Sequence, residues 1–354
     1  MVSSVPEPND WAEHLPQVPR LARPFHVALP CCGIDGAGWA LKVMKAFYTC
    51  NNVYDLEQRY AKYKDEYMKE ATPPHLGPCK GDILKATLSS LERPVHLLLA
   101  GSPCPPWAGN GNHGGAQDQR ATVFIHIVKL VGALAKSGEL QAVVLENVKR
   151  ILNKIPGQDE SFMSKLVSTL QAEIPEFLSG LSTLKARDYC LAQDRTRVFL
   201  RGIRATLCPN GEIPPVLPHF GTKSLRNFFA RGLPPVDRKS LTSRMRNNLK
   251  DAQAQLKQLL DNGQLSEDDL VCFPLDRANG KIYKRQICKD RVPTLTTSNS
   301  YLFISDLQVA AKDDDREFFR FLLPEERFTL QILHPLSPQR RCKSKPREMR
   351  TQCL

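Results

Sequence analysis

Three groups of residues in this chain could do chemistry, and each stands at or beside the end of an apolar run. Cys104 lies in the stretch Val95–Gly115, VHLLLAGSPCPPWAGNGNHGG. The run Val95 to Ala100 reads as a short buried strand, and Gly101-Ser102-Pro103 breaks it just before the thiol. Pro105 and Pro106 follow and fix φ, so the sulfur is held on a rigid turn at the rim of a sheet. A held thiol can act as a nucleophile; a small packed cysteine would look the same on this stretch alone. Glu146 closes a second apolar run, Ala142-Val143-Val144-Leu145, and is followed by Asn147 and Val148. Between the two runs, Val123, Ile127, Val131 and Leu134 recur at helical spacing. A crossing helix makes the two strands parallel neighbours, which puts a thiol and a carboxylate on one rim. A glutamate capping the next helix is the alternative. Further on, Gln193, Arg195 and Arg197 alternate, which predicts one face of a strand. Arginines so placed are either solvated or aimed at an anion or a polar base edge.

A second set of residues reads as a ligand site. Phe25–Leu29 is a short strand that runs into Pro30-Cys31-Cys32-Gly33-Ile34-Asp35-Gly36-Ala37-Gly38 and then a helix pattern from Trp39 to Met44. Strand, glycine turn and helix form the layout of a nucleotide-type site, in which glycines let backbone approach the ligand. Asn52–Tyr54 could close a second strand, and Asp55 follows it, where a ribose diol is commonly held. The cap of a helix over Leu56–Lys69 would explain the same aspartate. Gly81-Asp82-Ile83 adds another acid at a turn.

The elements that must position these residues belong to an ordinary globular chain. It has 354 residues, 42% hydrophobic and 24% charged, enough to bury a large core. A net charge of +12 favours a polyanionic partner such as nucleic acid. Eleven cysteines occur without a CxxC pair, which argues against a zinc ribbon or a disulfide framework and for a reducing compartment. No metal site is expected. The N-terminus lacks an apolar signal region, and no apolar run reaches membrane-spanning length, so no membrane association is expected. Residues 1–24 are polar and Pro-rich and read as a flexible arm. A helix is expected over Ser161–Ile174 and another over Lys250–Asn262. The segment 203–290 turns basic and Pro-rich, with Arg204, Arg226, Arg231, Arg244 and Arg246 among its cations. It reads as a smaller second domain, after which Arg291-Val292-Pro293-Thr294 returns toward the first.

Taken in order, the Gly33 turn, Asp55, Gly81-Asp82-Ile83, Pro103-Cys104, Glu146-Asn147-Val148, Gln193-x-Arg195-x-Arg197 and Arg291-x-Pro293-Thr294 resemble the cytosine-5 DNA methyltransferase family. The resemblance runs from residue 25 to 354. It implies an α/β fold, the Rossmann-like class I methyltransferase sheet that uses S-adenosyl-L-methionine, with a smaller target-recognition domain. Residues 25–202 would be the first part of the catalytic domain, 203–290 the target-recognition domain, and 291–354 the return to the catalytic domain. The implied reaction is transfer of a methyl group to C5 of cytosine in double-stranded DNA, on a base flipped out of the helix. By this resemblance Cys104 adds to C6, Glu146 holds N3 and the amino edge, Asn147 braces the nucleophile loop, and Arg195 and Arg197 face O2, the Cys loop or a phosphate. The cofactor would be held by Cys31, Gly33 and Ile34, by Asp55 at the ribose, by Asp82 and Ile83 at the adenine, and by Val123 at the head of the helix.

The chain departs from the family in three places. Cys31 stands where the family has a phenylalanine, and Pro105 where it has a glutamine after the nucleophile. The family's last motif has no equivalent, which implies a truncated sequence or a fragment and weak cofactor binding. A catalytically weak DNA-binding relative and an RNA cytosine-5 methyltransferase of the same fold stay open as alternatives. A cysteine hydrolase would leave the glycine turn, Asp55 and Asp82 without a role. Location in the nucleus is expected of a eukaryotic protein and in the cytoplasm otherwise; protein partners are not specified.

Overall fold

The computed structural model describes residues 23–31, 40–41, 46, 48–56, 77–104, 107, 118, 120–154, 159–219, 221–228, 241–266, 269–275, 286–295, 302–306, 319–322, 326 and 330. They fall into two compact units, one within His14–Leu184 and Thr196–Pro218, the other within Lys185–Arg195 and His219–Leu354.

The first unit is built on a six-stranded sheet. Its strands in chain order are β1 (Phe25–Pro30), β2 (Tyr48–Tyr54), β3 (Leu97–Gly101), β4 (Ala142–Val148) and β5 (Phe177–Lys185), and it includes β7 (Thr196–Arg204). The spatial order is β2-β1-β3-β4-β7-β5. β1 pairs in parallel with both β2 and β3, β3 pairs in parallel with β4, and β7 runs antiparallel to β4. The order reverses between β1 and β3, which is the switch point where open α/β sheets bind ligands at the carboxyl ends of their strands. Helix α1 (Ala121–Lys136) connects β3 to β4, and α2 (Phe162–Glu173) packs beside it; Phe124, Ile127, Val131 and Leu134 of α1 are fully buried in the core. α2 starts where Ser161 Oγ accepts the Ser164 N–H, as a capping serine should.

The second strand closes at Asn52–Tyr54 as expected: β2 begins at Tyr48, and Tyr48 and Cys50 share the buried face with Asn52 and Tyr54. One expectation shifts. The boundary expected at 203 falls inside β7, and residues up to Pro218 stay with the first unit. The reason is Arg204, which is not a surface cation. Its guanidinium donates to the carbonyls of Leu140 and Ala135 and lies 4.9 Å over the Phe177 ring.

In the second unit, β6 (Gln193–Asp194) pairs in parallel with β10 (Val292–Pro293); the Arg291-Val292-Pro293-Thr294 segment, expected to return to the first domain, thus pairs within the second unit. A separate sheet has the order β12 (Phe319–Phe321), β11 (Leu302–Asp306), β8 (Leu270–Pro274), β9 (Cys288–Lys289). Helix α3 (Ser243–Asp261) packs Met245, Leu249, Ala252 and Leu256 against Val271 and Phe273 of β8. It begins seven residues before the expected Lys250, because Thr242 Oγ1 caps the Met245 N–H and the apolar spacing extends back to Met245. Arg320 and Glu326 form a buried, two-pronged ion pair.

Candidate active site

The carboxyl ends of β1, β2, β3 and β4 carry the residues singled out by the sequence. β3 and β4 pair with Gly101 opposite Glu146. A Cβ on Gly101 would lie 3.5 Å from Glu146 Oε2 and 3.9 Å from the Cys31 carbonyl. Three strand ends therefore converge within a few ångströms of one backbone position.

Cys104 follows β3 by three residues and is half-buried. Its carbonyl accepts the Trp107 N–H at 2.9 Å, closing a tight turn. Trp107 is buried, with its ring 5.0 Å from Phe162 and 6.1 Å from Phe124. The turn that carries the thiol is thus anchored by an aromatic cluster beneath it. Pro105 lies outside the described residues. Arg120, just before α1, stands within electrostatic reach of Cys104. Its charged form is favoured first by its hydrogen bond to Asp118 and, to a lesser degree, by the Cys104 charge. Asp118 grips that guanidinium with both oxygens, at 2.9 and 2.6 Å, and accepts the Arg120 backbone N–H as well. These bonds hold the Asp118 carboxyl down at about 2.

Glu146 lies two residues before the end of β4, with its carboxylate 2.7 Å from Arg197 Nε on β7. This is the cross-strand pairing that antiparallel β4 and β7 allow. Asn147 is fully buried on the face that also carries Val143 and Leu145. A polar residue in that phase needs a partner. Its Nδ2 donates to Ser102 Oγ at 2.8 Å, which ties β4 to the Gly101-Ser102-Pro103 break ahead of Cys104.

The alternation expected of Gln193, Arg195 and Arg197 does not hold along one strand. Arg195 sits between β6 and β7; its N–H donates to Gln193 O, and its carbonyl accepts the Ala186 N–H. That turn hands Gln193 to β10 and Arg197 to β4, so the strand splits. Arg197 joins Glu146, whereas Arg195 belongs to the other unit.

The remaining strand ends form an acidic half of the rim. Cys31 follows β1 with a left-handed φ of 55°. Burial pushes its thiol up to about 12, and the charges of Asp55 and Asp82 push the same way. The three residues therefore lie together, as a shared cofactor site requires. Asp82 is delivered there by a second-tier anchor. Asn52 is buried in β2, accepts the Glu92 N–H and donates to the Glu92 carbonyl, so the 80–92 segment is clamped to the sheet. Gly81 turns the chain at a φ of +82°, a value that suits glycine alone. Asp82 then caps a single helical turn, Ile83–Lys85, through the Leu84 N–H. Ile83 is buried and Val123 half-buried against the core. Gly33, Ile34 and most of Leu56–Lys69 lie outside the described residues. Two carboxylates beside a backbone turn can accept ribose hydroxyls and an adenine amino group and can face a positive centre, so these residues fit S-adenosylmethionine. Among the described residues no group of three or more His, Cys, Asp or Glu is placed to hold a metal ion, and no helix is long and apolar enough to cross a membrane.

Sequence reasoning passed over Ser102, Trp107, Asn52 and the Asp118–Arg120 pair. For Asn52 and Asn147 a signal exists, a polar side chain in the buried phase of an apolar strand. For Trp107 it is an aromatic three residues after the thiol.

The family model of the C-5 cytosine-specific DNA methylases matches residues 31–311. The type II methyltransferase M.NgoBI of Neisseria gonorrhoeae is 31% identical over 157 residues, 44% of this chain and 44% of its own length. M.HpaII of Haemophilus parainfluenzae is 26% identical over 123 residues, 34% of this chain and 32% of its own. The match thus spans less than half the length of these relatives. In fold, the chain is similar to a DNMT2 variant of Spodoptera frugiperda, with a TM-score of 0.56 at 13% identity over 93% of this chain and 94% of that one. S. pombe Dnmt2 gives 0.52 at 15% identity over 94% and 93%.

Proposed function

The chain belongs to the C-5 cytosine-specific DNA methylase family, and from that premise we propose that it methylates C5 of cytosine in DNA by way of Cys104. The observation that carries this reading is the pairing of Gly101 with Glu146, which sets the thiol turn and the Glu146–Arg197 pair on one rim. The cofactor is S-adenosyl-L-methionine, which when bound supplies an electrophilic methyl group to C5.

Cytosine C5 is a poor nucleophile until C6 is attacked. The Cys104 thiolate forms a bond to C6, and the C5=C6 electron pair moves to C5. Negative charge developing on the ring is met by a proton that Glu146 donates to N3 while its carboxyl oxygen accepts from the amino group, with Arg197 holding the Glu146 side chain in place. After methylation, a solvent water takes the C5 proton, the C5–H electron pair re-forms the C5=C6 bond, and the Cys104 thiolate leaves. Asn147 and Ser102 keep the β3 end rigid, so the sulfur meets C6 without reorganising the loop. The base must leave the duplex to reach this rim, at a cost of a few kcal/mol. Arg195 is proposed to face the base or its phosphate, and the 203–290 segment, with Arg226, Arg244 and Arg246, to contact the DNA.

The test is transfer of labelled methyl from the cofactor to cytosine in duplex DNA. DNA carrying 5-fluorocytosine should trap the protein in a complex that survives denaturation. Absence of label on cytosine, with the cofactor shown to bind, overturns the reading. Label that is competed away by RNA and not by duplex DNA moves the substrate to RNA.

A further inference from the structure

The turn after β4 carries cations that the reaction itself does not use. Lys149 and Arg150 are exposed, as is Lys154 four residues on. None of the three has an ion-pair partner among the described residues. The turn is not loose. Asn147 and Ile151 on either side of the pair are fully buried, the Asn153 N–H closes onto the Arg150 carbonyl at 2.9 Å, and Lys154 bridges to Ser161 at the head of α2. The backbone is anchored at both ends while the charged heads point to water.

Position distinguishes this turn from an ordinary solvated face. Lys149 is three residues beyond Glu146, hence within about 10 Å of it along the chain. It leaves the sheet at the carboxyl end of β4, the same rim as Cys104. Arg120 lies at the start of α1, which begins on that rim too, since it leads from the end of β3 to the start of β4. The nearby acids are largely accounted for: Glu146 is paired with Arg197 and Asp118 with Arg120. Asp159 and Glu160 are exposed beside Ser161, next to Lys154, so the three cations exceed these two acids by one, and Lys149 and Arg150 are the cations adjoining the end of β4.

We infer that Lys149 and Arg150 form a phosphate contact that registers duplex DNA on the catalytic rim, independently of the contacts proposed for the 203–290 segment. The inference rests on the proposed DNA methylation. The contact would carry no sequence information; it would hold the strand beside the base that enters the site. Each phosphate neutralised releases condensed counterions, so two such contacts contribute about 1.8 to the slope of log affinity against log salt.

The experiment is a salt series of binding to a fluorescein-labelled DNA duplex, with the whole chain and with Lys149→Ala/Arg150→Ala. The double variant should bind with a slope shallower by roughly 1 to 2. Its binding at low salt should be weaker, and its thermal midpoint unchanged, because both side chains are exposed. Lys149→Arg/Arg150→Lys should keep the parent slope, since charge and not shape makes the contact. An unchanged slope in the alanine variant overturns the inference while leaving methylation intact. A slope that changes on RNA and not on duplex DNA overturns it for DNA. If the parent chain neither binds nor methylates duplex DNA, it is the functional reading that fails.

Discussion

Cys31 and Cys104 follow two neighbouring strands, β1 and β3, that pair in parallel, and both are half-buried free thiols. Their surroundings are opposite. Cys31 sits with Asp55 and Asp82, and its thiol is pushed up to about 12 by burial and by those two carboxylates. Cys104 faces Arg120, a guanidinium held in place by Asp118. The rim is therefore divided electrically. Where β1 and β2 end it is acidic, which suits a ligand with hydroxyls and a positive centre. Where β3 and β4 end it is lined by cations, which suits a thiolate and a polyanion. The same residue type on the same kind of strand end is given two chemistries by two or three neighbours.

The sharpest way to break this comparison is to remove each sulfur. Cys104→Ala should lower methyl transfer by roughly four orders of magnitude or more and abolish trapping by 5-fluorocytosine DNA. Cys31→Ala should still be trapped. Trapping that survives in the Cys104 variant, or is lost in the Cys31 variant, exchanges their roles. The next largest difference is in reactivity. At pH 8 a thiol with its midpoint at about 12 is ionised to about one part in 10⁴. Alkylation by iodoacetamide, followed by peptide mass mapping, should modify Cys104 at least tenfold faster than Cys31. Equal rates would remove the electrical division of the rim.

The two halves were not equally legible. Around Cys104 and Glu146 the sequence is explicit, because the apolar runs end at Gly101-Ser102-Pro103 and at Glu146-Asn147, although β4 itself continues to Val148. Parallel pairing followed from the helix between them. What stayed hidden depends on contacts far apart in sequence. The Asn147–Ser102 bond spans 45 residues and the Asn52–Glu92 clamp 40. Arg204 read as a basic surface residue because its acceptors, Leu140 and Ala135, lie more than 60 positions away. The Gln193–Arg197 alternation misled for a related reason: period two implies one strand only if a single neighbour pairs along it, and here two different strands do.

Smaller effects sharpen the picture. Asn147→Ala leaves Ser102 without its buried partner and should cost about 1–3 kcal/mol of stability, read from chemical denaturation. Loss below that range would mean Ser102 finds another partner. Arg120→Gln removes the cation opposite Cys104. Alkylation of Cys104 at fixed pH should then slow by roughly twofold to threefold, since one charge several ångströms away in a partly solvated site is worth about that much. The rate at Cys31 should not change. A Cys104 rate that stays put would show that Arg120 serves only the Asp118 turn.

The smallest effect lies at the other ends of the same two strands. His26 is the second residue of β1, and His96 immediately precedes β3. Their rings are 5.3 Å apart. The backbone N–H of His26 donates to His96 Nδ1 at 3.0 Å, so His96 must keep that nitrogen unprotonated to accept it. Thr49 lies against His26 Nδ1, and Glu139, engaged with Arg93, faces the pair from the turn before β4. Burial, and then the charge of His26, lower the His96 proton affinity, while Glu139 opposes them. A base whose affinity is lowered by folding is neutral in the native state and takes up a proton more readily when unfolded. Its contribution to stability is therefore complete above the unfolded value, near 6.5, and is lost as pH falls through the lower folded value. Unfolding free energies from urea titrations at pH 7.5 and 5.5 should show the parent chain weaker at the lower pH. His96→Asn, which can accept the same N–H and does not titrate, should lose part of that difference. An equal pH difference in parent and variant would assign the acid sensitivity to other groups and leave the strand starts electrically passive.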